Sequence, residues 1–268
     1  MTFIHDLATT EHHRWHEGRE YDALAAGVQR RNARLLLSLY PHNSGAPERV
    51  LEIGPGTGFL TEQLVYRWPQ SVITAVDPSS SMLDVATAKP MLQNVAFVHG
   101  SFPGDLGGTW DALFSNAALH WLFPHYRSTF SRAWDLLAPG GRFVAATAGR
   151  THGTDHFDQL VCKALGERPA FDVPFADRRL DPAALTEIVS SVGFVVEDAF
   201  LVERHVPISC EAYVRWWLAS GGPLSGKAEL VREELVAAVT ATSSDDGHNM
   251  TLIHGSLFFV LRRETLPE

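Results

Sequence analysis

Apolar residues recur along this chain with two alternating periods, and the alternation predicts most of its elements. Residues 18–40 read as one helix, with Leu24, Val28, Leu35, Leu36 and Leu39 at helical spacing and Arg30, Arg31 and Arg34 among them. Pro41 and the Asn43-Ser44-Gly45 cluster end it. Five short β-rich runs follow, at Arg49–Ile53, Val72–Val76, Val95–Val98, Trp110–Phe114 and Gly141–Thr147. Helical stretches separate several of them, at Phe59–Arg67, Ser79–Ala88 and His125–Leu137. Beyond these, Asp181-Pro182 opens a helix to about Val192, with Asp181 as N-cap and Pro182 at the first helical position. Phe194–Val206 and Thr251–Leu261 read as strands, with helices at Ser209–Ala219 and Lys227–Thr240 between them.

Strands alternating with helices imply right-handed βαβ crossovers and a parallel sheet covered on both faces. The expected architecture is α/β: a doubly wound, mostly parallel, seven-stranded Rossmann-like sheet, with its ligand outside the carboxyl ends of the strands. Residues 1–268 are expected to form one domain. Residues 1–40, 149–180 and 207–248 would supply a helical cap.

Composition narrows the partners. The 268 residues are 45% hydrophobic and 20% charged, ordinary for a globular domain. Lys+Arg is 22 against 31 Asp+Glu, a formal charge of −9, so the chain as a whole has no electrostatic reason to seek nucleic acid or an anionic membrane. Two cysteines, Cys162 and Cys210, are too few and too far apart for a disulfide framework or a metal knuckle. His12 and His16 would share a helical face, but no HExxH or CxxC accompanies them, and no metal is expected. The first residues lack a basic segment followed by an apolar one, and no apolar run approaches the roughly 18 residues of a membrane span. A cytoplasmic protein is expected, with its oligomeric state left open.

The strongest chemical signal is Glu52-Ile53-Gly54-Pro55-Gly56-Thr57-Gly58, between the first strand and the first crossover helix. Glycines there let the backbone turn tightly and let a ligand lie on bare main chain. A dinucleotide fingerprint has its third glycine one place later, where Phe59 stands, so the spacing argues against a nicotinamide cofactor. Glu52 at the loop's edge suits a cationic ligand with an amino-acid tail better than a pyrophosphate. Asp77 follows at the end of the second strand, about twenty residues on, where a carboxylate can accept both ribose hydroxyls. An N-cap for the next helix is the competing role.

These residues resemble a class I S-adenosylmethionine-dependent methyltransferase. Glu52, Gly54, Gly56 and Gly58 match the family's Glu-x-Gly-x-Gly-x-Gly loop. Ala75–Leu83, Phe114–Leu122 and Leu136–Phe143 match its later motifs, so the resemblance covers roughly residues 20–148. It implies S-adenosyl-L-methionine as cofactor. Glu52 and the loop would face the methionine moiety, Asp77 with neighbouring Pro78 the ribose, Met82 the adenine, and Asn116 and Ala117 the sulfonium end. The family often places Gly-Asp after the third strand. Here Gly100-Ser101-Phe102 stands instead, so either Ser101 accepts from the adenine amino group or Phe102 stacks on the ring. A narrower resemblance is to the branch containing trans-aconitate and malonyl-carrier-protein methyltransferases. It rests on Ser115-Asn116 through Trp121, and on Tyr21 followed by Gln29-Arg30-Arg31.

Such enzymes transfer a methyl group by in-line displacement, where alignment supplies much of the acceleration. A carboxylate acceptor needs only a positioning cation, and Arg150, just past the fifth strand, could clamp one. Arg14, Arg19 and Arg30 are further cations of the N-terminal cap. A phenol, alcohol or protonated amine needs a base, for which His120 is the first candidate and His152 the second. Trp15, Tyr21, Trp121 and Trp216 would line the acceptor chamber. The expected activity is methylation of a small molecule, free or carrier-linked, on a carboxylate oxygen. The alternative is N-, C- or phenol O-methylation in a natural-product pathway, with His120 as base.

Overall fold

The computed structural model describes residues 18–104, 106–155, 175–220 and 228–264. Seven strands form one sheet in the order β3-β2-β1-β4-β5-β7-β6. They are β1 (Arg49–Ile53), β2 (Val72–Asp77), β3 (Ala96–His99), β4 (Trp110–Asn116), β5 (Leu137–Ala148), β6 (Phe194–Ser209) and β7 (Asn249–Arg263). The first five run parallel, and β7 lies antiparallel to both β5 and β6. The doubly wound expectation is met, and the strand order reverses between β1 and β4, where such folds open a crevice.

Strand alternation sorts the core onto two faces. Leu51, Ile53, Leu113, Phe143, Leu257 and Phe259 face α4 (Tyr126–Leu136) and α5 (Pro182–Ser190). Val50, Phe114, Val144, Ala146, Phe258 and Val260 face α1 (Gly18–Ser38) and α2 (Phe59–Arg67). Helix α3 (Ser80–Thr87) follows β2 and begins at Ser79, whose hydroxyl accepts from the Met82 amide. Asp181 caps α5 through the Ala184 amide, as its position before Pro182 requires.

Two elements outrun their expected limits. β5 starts at Leu137, not Gly141, because α4 ends at Leu136 and the chain passes straight into the sheet. β6 continues through Pro207 to Ser209. A proline is tolerated there because β6 is an edge strand.

The β5 pairing with β7 ends at Ala148 and Ser256, whereas β6 and β7 stay paired out to Ser209 and Asn249. Residues 203–209 and 249–255 therefore form a two-stranded arm that overhangs the carboxyl end of β5. Helices α6 (Cys210–Ala219) and α7 (Ala228–Ser243) sit at the end of this arm. Cys210, Val214, Leu235, Val239, Met250 and Leu252 bury a separate small core there. Among the described residues no helix is long and apolar enough to cross a membrane.

Candidate active site

The crevice begins at the turn after β1. Gly54 has φ 68° and Gly56 φ 57°, both in the left-handed region that glycine enters without strain. Their surroundings differ. A Cβ on Gly54 would stand 2.2 Å from the Ala118 Cβ, so that glycine serves close packing within the protein. A Cβ on Gly56 would meet nothing within 4 Å, so its bare backbone borders open space. Gly58 is the N-cap of α2.

The Asp77 carboxylate is buried and holds this turn in place. It accepts from the Gly56 amide at 2.9 Å and from the Ser79 amide at 2.8 Å. Capping of α3 falls to Ser79, so Asp77 keeps lone-pair capacity on both oxygens. Burial raises its pKa, and those two amide bonds oppose the rise. Tyr21 is half-buried, and desolvation of its phenol, followed by the nearby Asp77 charge, pushes its pKa up. Pro78, half-buried, offers its carbonyl to His99 Nε2 at 2.9 Å.

Glu52 points from β1 toward the α1 and α2 face and is completely buried. Neither carboxylate oxygen has a well-formed hydrogen bond, and the hydroxyls of Thr57 and Thr61 beside the loop are likewise unpartnered. Burial drives the Glu52 pKa up to about 8, eased by nearby Thr61 and raised further by Asp77. Buried polar atoms left unpaired cost about 1–3 kcal/mol each. Their gathering around an open glycine loop suits a ligand that carries donors and positive charge.

At the end of β4, Asn116 donates from Nδ2 to the Gln29 carbonyl and Oε1, both at 3.3 Å, while its own Oδ1 is buried without a partner. Ala117 follows with φ 59°, strained for a residue with a Cβ and held by its amide bond to the Ala146 carbonyl. Gln29 comes from α1, whose inward stripe is Ala25, Val28, Gln29, Asn32, Ala33, Leu36 and Leu37. That stripe is rotated from the leucine-based one expected, because Leu24, Leu35 and Leu39 are only half-buried. Two amides on a buried helical face were the available signal for Gln29 and Asn32.

The acceptor side differs more from expectation. His120 is buried in the turn after β4, with Thr147 Oγ1 3.5 Å from its Nδ1 and the Trp121 ring 4.9 Å away. Burial pushes its pKa down to about 3, and the charges of Arg179, Arg178 and His254 push the same way. Arg150, the expected clamp, is exposed, and its Nη2 donates to the Ala176 carbonyl at 2.9 Å. The cations that act on His120 are instead Arg178 and Arg179. His152 is exposed. Trp216 stacks on His254 of the overhanging arm, 6.0 Å between centroids and 11° between planes.

Two residues expected on the adenine side are buried. Phe102 belongs to the core cluster that holds Ile53, Val76 and Leu113 and is only 5% exposed. Met82 is equally buried, at 5%. Ser101, half-buried at the end of β3, remains beside that edge. Arg30 is consumed by an ion pair to Glu62 at 2.7 Å. Trp15, Arg14, His12, His16 and Cys162 lie outside the described residues.

Residues 50–141 match the family described as methyltransferase domain. A trans-aconitate 2-methyltransferase of Deinococcus radiodurans is 34% identical over 196 residues, covering 69% of this chain and 72% of that protein. A malonyl-[acyl-carrier protein] O-methyltransferase of Priestia megaterium is 34% identical over 133 residues, 49% of this chain and 48% of that one. Among solved structures, a Bacillus halodurans C-125 protein put forward as a methyltransferase superposes with a TM-score of 0.63 at 18% identity, covering 88% of this chain and all of that chain (100%).

Proposed function

The chain belongs to the S-adenosylmethionine-dependent methyltransferases, and from that membership we propose that its acceptor is a carboxylate oxygen of a small acid. Bound at the glycine loop, the cofactor supplies an electrophilic methyl group on a sulfonium. We assign Glu52 and the open face of Gly56 to its amino-acid end, Asp77 to its ribose and Asn116 Oδ1 to the side nearest the acceptor. The unpartnered buried oxygens of Glu52 and Asn116 support that assignment.

The observation that carries the carboxylate reading is the state of His120. An imidazole with a pKa near 3 is neutral at pH 7. It is also a poor general base, because base catalysis is best served by a pKa near the working pH. A phenol or an ammonium acceptor would need a better one. A carboxylate needs none, being ionised above about pH 5. Burial does most to keep His120 neutral, and the charges that add to it, Arg179 and Arg178, are those an acid would seek. The same residues would align the acceptor oxygen and keep it anionic, and alignment is most of what such a displacement requires. The relatives' names, a trans-aconitate and a malonyl-carrier-protein methyltransferase, agree with an acidic acceptor.

The test is product chemistry. Protein incubated with methyl-labelled S-adenosylmethionine and a panel containing trans-aconitate, a malonyl thioester, phenols and amines is expected to give a base-labile methyl ester. A base-stable N-, C- or aryl O-methyl product with no ester would refute the reading.

A further inference from the structure

We infer that Arg178 is the residue that recognises the acid group of the acceptor, and that Arg150 acts only by holding the turn that presents it. The inference rests on the carboxylate reading above and names the residue behind it.

Arg178 is distinguished by its place beside Trp121 and by what it lacks. Arg30, Arg142, Arg215 and Arg262 are each paired with a glutamate. Among the described residues Arg178 has no carboxylate partner, in a chain whose formal charge is −9. Its Nε is buried with no hydrogen-bond acceptor. Its guanidinium lies over the Trp121 ring, Cζ 5.4 Å from the centroid, and Trp121 in turn packs on His120. A guanidinium stacked on an indole has its planar fork fixed in orientation while its N–H edges stay available, which suits bidentate capture of a carboxylate. An unpaired, partly buried guanidinium beside a neutral imidazole is costly unless an anion completes it.

The main chain keeps this side chain in place. The Tyr126 hydroxyl donates to the Arg178 carbonyl. Arg150 donates from its amide to the Leu180 carbonyl at 2.8 Å and from Nη2 to the Ala176 carbonyl. It thereby brackets Arg178 on both sides without reaching His120.

The experiment compares Arg178→Gln, Arg178→Lys and Arg150→Ala with the wild type. Calorimetric binding of trans-aconitate and of its trimethyl ester, to protein loaded with S-adenosylhomocysteine, is measured beside methyl transfer to the acid. The wild type is expected to prefer the free acid. Arg178→Gln should weaken acid binding about 10–100-fold, the usual worth of a charged hydrogen-bonded pair, and leave ester binding unchanged. Arg178→Lys should fall between, keeping charge but losing the fork and the stacking. Arg150→Ala should weaken the acid less and keep the preference for acid over ester. An unchanged cofactor affinity shows that each variant is folded. If Arg178→Gln, so folded, binds the acid as the wild type does, the assignment is overturned while the carboxylate reading stands. If the wild type itself neither binds nor methylates acids, both fall together.

Discussion

A pair of glycine substitutions separates the loop's structural work from its ligand work. Gly54 and Gly56 have nearly the same φ, 68° and 57°, so an alanine at either carries the same left-handed strain, roughly 1–2 kcal/mol. Alanine also stabilises by about 0.4–1 kcal/mol by restricting the unfolded chain, which offsets part of that strain. The remainder differs. At Gly56 the new methyl meets no protein atom within 4 Å, so Gly56→Ala should cost about 0–1.5 kcal/mol in all. At Gly54 it would overlap the Ala118 Cβ at 2.2 Å, adding about 1–3 kcal/mol of overpacking. At about 2–4 °C per kcal/mol for a domain of this size, Gly54→Ala should melt several degrees below Gly56→Ala. Cofactor binding should rank the other way in relation to stability. Gly56→Ala stays folded and loses most of its affinity for S-adenosylhomocysteine, because its methyl enters the space against which the ligand lies. The assays are thermal melting by circular dichroism and calorimetric titration. A Gly56→Ala protein that binds normally, or a Gly54→Ala protein that melts with the wild type, would refute the reasoning.

Three further perturbations bear on the same crevice. Asp77→Asn should weaken S-adenosylhomocysteine by about 1.5–3 kcal/mol, and should lower the apo melting temperature as well because the Gly56 and Ser79 amides share that carboxylate; equal titration curves would restrict Asp77 to the turn. Glu52 has its folded pKa raised to about 8, so its contribution is fully present below its unfolded value near 4.5 and is lost as pH rises through 8. Glu52→Gln should therefore melt higher than the wild type at pH 9 relative to pH 6, and a constant difference across that range would contradict the burial argument. His254 is depressed to about 4 by burial and by the Arg179 and Arg204 charges, so its contribution is present above 6.5 and is lost as pH falls toward 4. His254→Gln should flatten the acid limb of a plot of melting temperature against pH, and an unaltered limb would assign that loss to other groups.

The glycine-loop half of the crevice was legible because its signals are local. Gly54, Gly56 and Asp77 each lie within three residues of a strand end, and a parallel sheet brings those ends to one edge whatever the rest of the chain does. The half around His120 was not legible because its residues meet through pairings that no periodicity announces. Arg178 reaches His120 only because residues 176–180 return beside β5, where Leu180 bridges Gly149. Arg150 held the obvious position in sequence, yet its guanidinium turns to Ala176. His254 reaches the site because β7 overruns β5, and the strand reading from Thr251 gave no sign of the overrun. Phe102, next to the expected adenine position, shares a core cluster with Ile53 and Val76, a placement its position after β3 does not announce.

Helix α1 ties the two halves together, and its two sides do so with different strength. On the inner side, Gln29 accepts from Asn116, while Asn32 donates to the Ser256 hydroxyl at 3.1 Å. The Ser256 hydroxyl in turn lies 3.3 Å from His254 Nδ1, so Asn32 and His254 meet on the same side chain. On the outer side α1 is held by ion pairs, Lys89 to Asp22 at 3.1 Å and Arg215 of α6 to Glu20. Partly exposed pairs of this kind contribute little, typically below about 1 kcal/mol. The buried amides are the costly connections to break, since each would leave an unpaired polar group in the crevice. One helix thus carries Gln29 to the end of β4 and Asn32 to β7, one turn apart. Any shift of α1 that parted Gln29 from Asn116 would therefore also disturb Ser256 and, through it, His254.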